Sequence, residues 1–235
     1  MNIKKKILLI ILSIIAIFSF TKIIIYYINS YQNQKTNREL IEKSIKKINN
    51  ELKINYSQIE SEDVVGWIIM NQNKINYPIL KSNDNNYYLT RDYNKKHNQS
   101  GSIFMDFRNN DFKDKNTVIY GHSMLDGTMF GSLREMFKKD YFDTKNNNYI
   151  KIYDLNSEET TYQIFSYYII DTEDYYITTS FNTEEQYKTF IDKITKRSYK
   201  KFNIKIDTTS QILTLSTCSS NNKRKVIHAV KLNKE

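Results

Sequence analysis

The sequence predicts a mainly β domain, an antiparallel barrel or sandwich of about eight strands, behind an N-terminal hydrophobic segment. Short apolar and β-branched runs recur between residues 64 and 232 and are separated by connections of hairpin length. Helical periodicity is confined to a few segments. The chain of 235 residues is rich in Tyr and Phe but has only one Pro and five Gly, which favours a packed core over disorder. This length suits one domain with a short appendage.

The first 28 residues have the pattern of a membrane anchor. Lys4, Lys5 and Lys6 precede a nearly continuous apolar run over residues 7–28, long enough to span a bilayer. The positive-inside rule keeps the lysines in the cytoplasm and the rest of the chain outside. A cleaved signal peptide is the alternative, but no small-x-small cleavage site follows the run. The predicted parts are a cytoplasmic tail at 1–6, a transmembrane helix at 7–28, an extracellular helical linker at 29–55 and a folded domain at 56–235.

A second helix is predicted within the linker. Ile41, Ile45, Ile48 and Leu52 recur at steps of four, three and four, which is helical spacing. The pattern therefore predicts an amphipathic helix over residues 36–53 that packs on the domain.

The remaining elements follow from periodicity and turn residues. Thr183 and Gln186 form a capping box for a long helix at 182–200. Shorter helices are predicted at 84–93 and 129–137. The predicted strands are 64–70, 75–80, 101–106, 117–122, 149–155, 160–170, 203–207, 211–218 and 225–232.

Charge and composition exclude several classes of function. Of the net charge of +9, five lysines lie in the first 35 residues, which contain no acid, so the folded part carries only +4. A nucleic-acid partner is therefore not expected. Three histidines and one cysteine lack ligand-like spacing, so we expect no metal and no cofactor. The single cysteine cannot form an internal disulfide and, in an exported protein, indicates a reactive thiol.

That cysteine, Cys218, ends a predicted strand at 211–218 and precedes a polar run at 219–222 that is typical of a loop. Arg224 opens the next strand of a predicted hairpin, and His122 ends the strand at 117–122. A lone cysteine is more often a small buried hydrophobe than a nucleophile. A Cys, a His and an Arg at strand ends nevertheless favour a catalytic thiol, because a rigid strand end holds a nucleophile while a loop leaves it accessible.

Several motifs resemble those of one enzyme family. Thr214-Leu215-Ser216-Thr217-Cys218 resembles the TLxTC signature of the sortases, Tyr120-Gly121-His122 resembles their histidine motif, and Arg224 falls where their arginine belongs. The segments Tyr87-Tyr88-Leu89, Gly101 to Asp106, and Gly127 to Gly131, together with the helix inserted before the cysteine, resemble class B sortases. The resemblance covers roughly residues 36–232.

The resemblance implies a closed eight-stranded β-barrel whose groove contains catalytic Cys218, His122 and Arg224. It also implies a membrane-bound cysteine transpeptidase. Its partners would be secreted proteins with a C-terminal sorting signal, an amine of the peptidoglycan precursor, and membrane lipid around the N-terminal helix. The implied substrate-binding residues are Leu89, Tyr120, Tyr176, Ile177, Ser216 and Thr217.

The sequence is also compatible with other functions and other residue roles. A simple thiol protease would release its product to water, and a non-enzymatic module would bind anionic wall polymers through basic residues. The aromatic residues of the implied groove are as compatible with core packing as with substrate binding. His228 is a second candidate base, although it lies four residues past Arg224, deeper in the sheet. His97 lies in a polar run and is interpreted as a solvated loop residue.

Overall fold

The computed structural model describes residues 2–233 except 49, 50, 71, 73, 145, 146, 174 and 219–221, and it describes Cys218 through its backbone only. The predicted loop at 219–222 therefore lies mostly outside the described residues. The chain divides into two compact units, Met1–Glu39 and Leu40–Glu235.

The first unit is helical. Helix α1, Ile3–Ser44, contains an 18-residue window of mean hydropathy 2.7, none of it buried, and is long and apolar enough to cross a membrane. Ser19 and Thr21 donate their hydroxyls to the carbonyls of Ile15 and Ile17, each at 2.8 Å, so these polar groups are satisfied within the helix.

The predicted linker helix at 36–53 is wrong beyond Ser44. The helix stops there, and β1 (Ile45–Ile48) pairs antiparallel with β2 (Glu51–Ile54). Ile45 and Leu52 pack against a cluster that includes Trp67. Isoleucines spaced for a helix suit a strand as well, so the spacing alone does not decide between the two elements.

Eight strands close a barrel in the order β10-β8-β7-β3-β4-β5-β6-β9, which confirms the predicted closed eight-stranded barrel. The strands are β3 (Val64–Met70), β4 (Ile75–Leu80), β5 (Phe104–Met105), β6 (Asn116–His122), β7 (Tyr149–Tyr153), β8 (Glu159–Asp171), β9 (Ile212–Cys218) and β10 (Lys223–Lys231).

Hairpin-length connections had predicted an antiparallel barrel, but two of its strand pairs are parallel. β4 pairs parallel with β5, and β6 pairs parallel with β9. Parallel neighbours need long crossover connections, and the connection from β6 to β9 contains β7, β8 and helix α2 (Glu184–Lys196).

Other predicted elements differ in extent or type. The strand at 203–207 is absent from the described residues. Instead Phe202, Ile204 and Ile206 pack half-buried against the cluster under α2. β5 covers only part of the strand predicted at 101–106. The helix at 129–137 is a 3₁₀ helix, Gly131–Phe137, and the one at 84–93 is a 3₁₀ turn, Tyr87–Leu89.

The barrel strands have two buried faces. Leu213, Leu215 and Ile227 point to the interior cluster. Residues of the alternate set, such as Ile212 and Val230, pack under α2. Thr183 caps this helix by accepting a hydrogen bond from the Gln186 amide at 3.2 Å, as the capping box predicts. Other parts of the chain thus cover the outer face of these strands.

Candidate active site

The parallel pairing of β6 and β9 brings two predicted catalytic residues together. Its register runs from Asn116 beside Ile212 to His122 beside Cys218, the last pair of the ladder. β10 lies on the other side of β9, where Val226 opposes Ser216. These β9–β10 pairs end at Val226 and Ser216, and Arg224 lies two residues before Val226, as Cys218 lies two residues after Ser216. Beyond the last pair, the Lys225 amide donates to the Thr217 hydroxyl at 2.9 Å. Three adjacent strands therefore carry His122, Cys218 and Arg224 towards the same end of the sheet.

His122 is half-buried, and its ring is oriented by a backbone group. Its Nε2 lies 2.8 Å from the carbonyl oxygen of Leu89. A carbonyl can only accept, so Nε2 carries the hydrogen, and Nδ1 bears the lone pair of the neutral ring. Leu89 ends the 3₁₀ turn Tyr87–Leu89, which therefore fixes the tautomer of His122.

A second 3₁₀ turn, Tyr175–Ile177, lies over the outer face of these strands. The Tyr176 hydroxyl is 3.2 Å from the Ser216 hydroxyl. The Asn116 amide donates to the Thr178 carbonyl at 2.8 Å, and the Arg108 guanidinium donates to the Ile177 carbonyl at 3.0 Å. The turn is held by side chains from several directions and makes a fixed wall.

The sortase-domain family model matches residues 68–232, well over half of the chain, and this region contains the three-strand row just described. The chain belongs to the sortase family. The family predicted from the motifs is thereby confirmed.

Its relatives place this sortase in class B. It is 39% identical to sortase B of Listeria monocytogenes over 163 residues, 68% of this chain and 64% of that protein, just under two thirds of its length. It is 33% identical to sortase B of Staphylococcus aureus over 214 residues, which cover 87% and 85% of the two chains. The crystal structure of B. anthracis sortase B in complex with AAEK1 superposes with a TM-score of 0.76 at 34% identity, covering 88% of this chain and 100% of that one.

The six residues predicted to bind substrate differ in exposure. Leu89 and Ile177 are half-buried beside the row, whereas the other four are nearly inaccessible. Tyr120 is 9% exposed, Tyr176 3%, Ser216 1% and Thr217 0%. Their direct contact with substrate stays a prediction, and their present contacts, such as Tyr120 with Asp106 and Tyr176 with Ser216, form a buried layer.

A buried polar chain runs beneath this layer. The Thr214 hydroxyl donates to Asn116 Oδ1 at 2.7 Å, so it must accept from His228 Nδ1, which is 2.8 Å away. His228 Nε2 then accepts from the Tyr168 hydroxyl at 2.9 Å. His228 is fully buried and neutral in this chain, so it serves structure. The candidate base on geometric grounds is His122, which lies beside Cys218.

Burial of His228 makes a testable contribution to pH-dependent stability. Burial, with a smaller effect of the Arg197 charge, lowers the pKa of His228 to about 3, against about 6.5 when the chain is unfolded. The contribution of neutral His228 to the free energy of unfolding is fully present above pH 6.5 and is lost as the pH falls towards 3. Lowering the pH from 7 to 5 should therefore cost about 2 kcal/mol through this residue. In denaturant titrations, His228→Gln should flatten that pH dependence.

His97→Gln, which removes an exposed histidine, is the control for this comparison. An equal loss of unfolding free energy between pH 7 and pH 5 in wild type and His228→Gln would show that His228 does not stay neutral on folding.

The polar residues that support the site are not among the site residues predicted from the sequence. Asp106 is fully buried directly after β5, and Asn116 and Thr214 are fully buried within strands. An acid or amide inside or next to an apolar strand signals a buried hydrogen-bond network. That signal is visible in the sequence, but the partners are not.

Proposed function

We propose that the chain is a membrane-anchored cysteine transpeptidase. It cleaves a C-terminal sorting signal, Asn-Pro-x-Thr-Asn-like or Pro-x-Thr-Gly-like, after Thr. It then transfers the protein to an amine of the peptidoglycan precursor. The observation that carries the proposal is the pairing of His122 with Cys218 at the end of the β6–β9 ladder of a class B sortase barrel, and Arg224 on the neighbouring strand β10 supports it.

In the first half of the reaction the Cys218 thiolate attacks the Thr carbonyl carbon. The tetrahedral oxyanion accepts hydrogen bonds from Arg224, whose guanidinium is always charged. His122 Nδ1 has taken the proton of the Cys218 thiol, and when the intermediate collapses the C–N bond breaks and His122 gives that proton to the leaving amine. The product is a thioester on Cys218 and a free C-terminal peptide.

In the second half an amine attacks the thioester. His122 takes up the proton from that amine, a new amide bond forms, and the Cys218 thiolate leaves. Transfer has to outcompete hydrolysis, so the groove should restrict water until the amine arrives. The wall at Tyr175–Ile177 supports this proposal. The Tyr176 hydroxyl and the carbonyls of Ile177 and Thr178 already have hydrogen-bond partners in the protein, so they do not need water as a partner.

Membrane attachment is the second part of the proposal. Helix α1 supplies an apolar segment of spanning length, and Lys4, Lys5 and Lys6 precede it. By the positive-inside rule, the N-terminus would be cytoplasmic and the catalytic domain, 56–235, extracellular. A cleaved signal peptide would instead release the domain, and the mass of the mature protein from cells distinguishes the two.

Intact-mass spectrometry tests the activity. The protein is mixed with a panel of candidate sorting peptides, and triglycine is then added. A mass gain on Cys218 equal to the peptide truncated after Thr, lost on adding triglycine with formation of a ligated product, is the expected result. An adduct that decays to hydrolysed peptide at the same rate with and without amine would favour the thiol protease. No adduct with any peptide would contradict the proposed substrate class.

A further inference from the structure

A buried carboxylate outside the catalytic row joins the parts of the chain that surround it. Asp106 follows β5 and is 0% exposed. Its Oδ1 accepts from the Arg108 amide at 3.0 Å and from Arg108 Nε at 2.8 Å. Its Oδ2 accepts from Arg108 Nη2 at 2.7 Å, from the Tyr120 hydroxyl at 2.8 Å and from Asn85 Nδ2 at 3.0 Å. A carboxylate offers about four lone-pair sites, so five donors saturate it.

These donors keep Asp106 ionised. Burial alone would raise its pKa, but the hydrogen bonds from Arg108 and Tyr120 outweigh burial and hold the pKa of Asp106 below its ordinary value. A saturated carboxylate of low pKa is a poor proton acceptor. Its chemistry is that of a fixed anchor and not of a general base.

The first link from Asp106 leads to the partner of His122. Asn85 precedes the turn Tyr87–Leu89, and the carbonyl of Leu89 faces His122 Nε2. The segment between them is rigid: Asp84 Oδ1 accepts from the amides of Asn86 and Tyr87 at 2.7 and 2.8 Å. Asn85 also accepts from the Phe107 amide at 3.0 Å through its Oδ1, so it is held at both ends of its side chain.

The second link leads to the opposite wall. Arg108 Nη2, besides binding Asp106, donates to the carbonyl of Ile177 at 3.0 Å. A guanidinium can serve both acceptors because its donors form a planar fork. The third link is Tyr120, which lies two residues before His122 on β6 and so on the same face of the strand.

We propose that Asp106 is a positioning residue for the transfer reaction, setting the spacing between the 84–89 segment and the Tyr175–Ile177 wall so that a peptide fits between them. This inference rests on the proposed function. It assigns Asp106 no contact with the substrate. Its effect runs through Asn85 to the 84–89 segment and through Arg108 to the wall at Tyr175–Ile177.

A purely structural role makes a different prediction. If Asp106 only stabilised the fold, its replacement would lower the melting temperature and leave the kinetics of the folded fraction unchanged. If it sets the groove, the folded variant should show a higher KM for peptide. Displaced walls bind the peptide less tightly, and loss of binding appears in KM with little change in kcat.

The test uses the full chain in lipid nanodiscs and combines peptide kinetics with hydrogen exchange. Asp106→Asn keeps the shape and removes the charge. Asn85→Ala cuts the link to the 84–89 segment, together with the hydrogen bond from the Phe107 amide, and leaves Arg108 in place. Arg108→Lys keeps a cation near Asp106 but loses the fork that reaches Ile177. Glu159→Gln is the matched control: Glu159 accepts from the Tyr153 hydroxyl at 2.6 Å and from Lys151 at 3.0 Å on the β7–β8 pair, outside the site.

We expect Asp106→Asn to raise KM about tenfold and to speed amide exchange in both 84–89 and 175–178. Asn85→Ala should affect exchange only in the first segment and Arg108→Lys only in the second, while Glu159→Gln should affect neither. Unchanged exchange in the single-link variants, or an unchanged KM in folded Asp106→Asn, would overturn the inference. The exchange measurement needs no reaction, so it judges the role of Asp106 even if wild type forms no acyl-enzyme, the result that counts against the proposed function.

Discussion

The Cys218→Ala variant should form no acyl-enzyme and cleave no sorting peptide while keeping its fold. Removing the nucleophile of a covalent mechanism costs on the order of 10⁴-fold or more in rate, because no neighbouring group can form the thioester. The β6–β9 ladder that ends at Cys218 is made of backbone hydrogen bonds, so Ala preserves it. Intact mass after peptide addition and peptide cleavage by chromatography are the two measurements.

The experiment has an internal check, because the chain has one cysteine. A thiol reagent should add one label to wild type and none to Cys218→Ala. The unfolding midpoint verifies the fold. Cleavage that persists in the unlabelled, folded variant would exclude covalent catalysis by Cys218, and with it both the transpeptidase and the thiol protease.

The strands that could be predicted from the sequence are those with sharp local boundaries. β3 and β4 have the predicted bounds, since each is a compact apolar run next to polar residues. The segment at 45–54 was assigned to the wrong element because its apolar spacing suits both a helix and two short strands. Packing of Ile45 and Leu52 against the Trp67 cluster, a contact between distant residues, decides between them.

The candidate site was predictable as a set of residues but not as an arrangement. Cys218, His122 and Arg224 stand out because each lies at the end of an apolar run, and the family resemblance links them. Alternation in a strand indicates which face is buried but not which strand lies next to it. The parallel pairing of β6 with β9 joins residues 96 positions apart, such as 122 and 218, so the proximity of His122 and Cys218 could not be predicted from local pattern.

The supporting network shows the same limit more strongly. Asp106 could be marked as a polar residue after a strand, yet one of its links ends at the carbonyl of Ile177, 69 residues from Arg108. A backbone carbonyl has no signature in the sequence. Local sequence patterns therefore cannot predict the polar contacts that such a site makes with distant backbone groups.

Arg224→Lys should lower kcat/KM by about a hundredfold or more, the cost of removing one well-placed oxyanion donor. Arg224 is half-buried on β10, where it pairs with Ile170 of β8, so the strand holds its backbone rigidly. Lysine keeps the charge but replaces a planar fork of donors with a single ammonium group on a flexible stem. Steady-state kinetics with the peptide identified by mass spectrometry measure the change.

Lys223→Gln is the matched control, since it removes an exposed positive charge from the adjacent position of the same strand. If general positive charge at this end of the barrel sufficed, Arg224→Lys would retain its rate and Lys223→Gln would lose some. We expect the reverse, and an Arg224→Lys enzyme as fast as wild type would refute the assigned role of Arg224.

The division of the loss between kcat and KM then identifies what Arg224 does. Donation to the oxyanion exists only in the transition state, so its loss lowers kcat and leaves KM nearly unchanged. Donation to the peptide backbone exists already in the bound substrate, so its loss raises KM. Arg224 lies on the strand next to the one that ends at Cys218, the proposed nucleophile, whereas Asp106 is linked through Asn85 to the 84–89 segment and through Arg108 to the wall. We therefore expect Arg224→Lys mainly to lower kcat and Asp106→Asn mainly to raise KM.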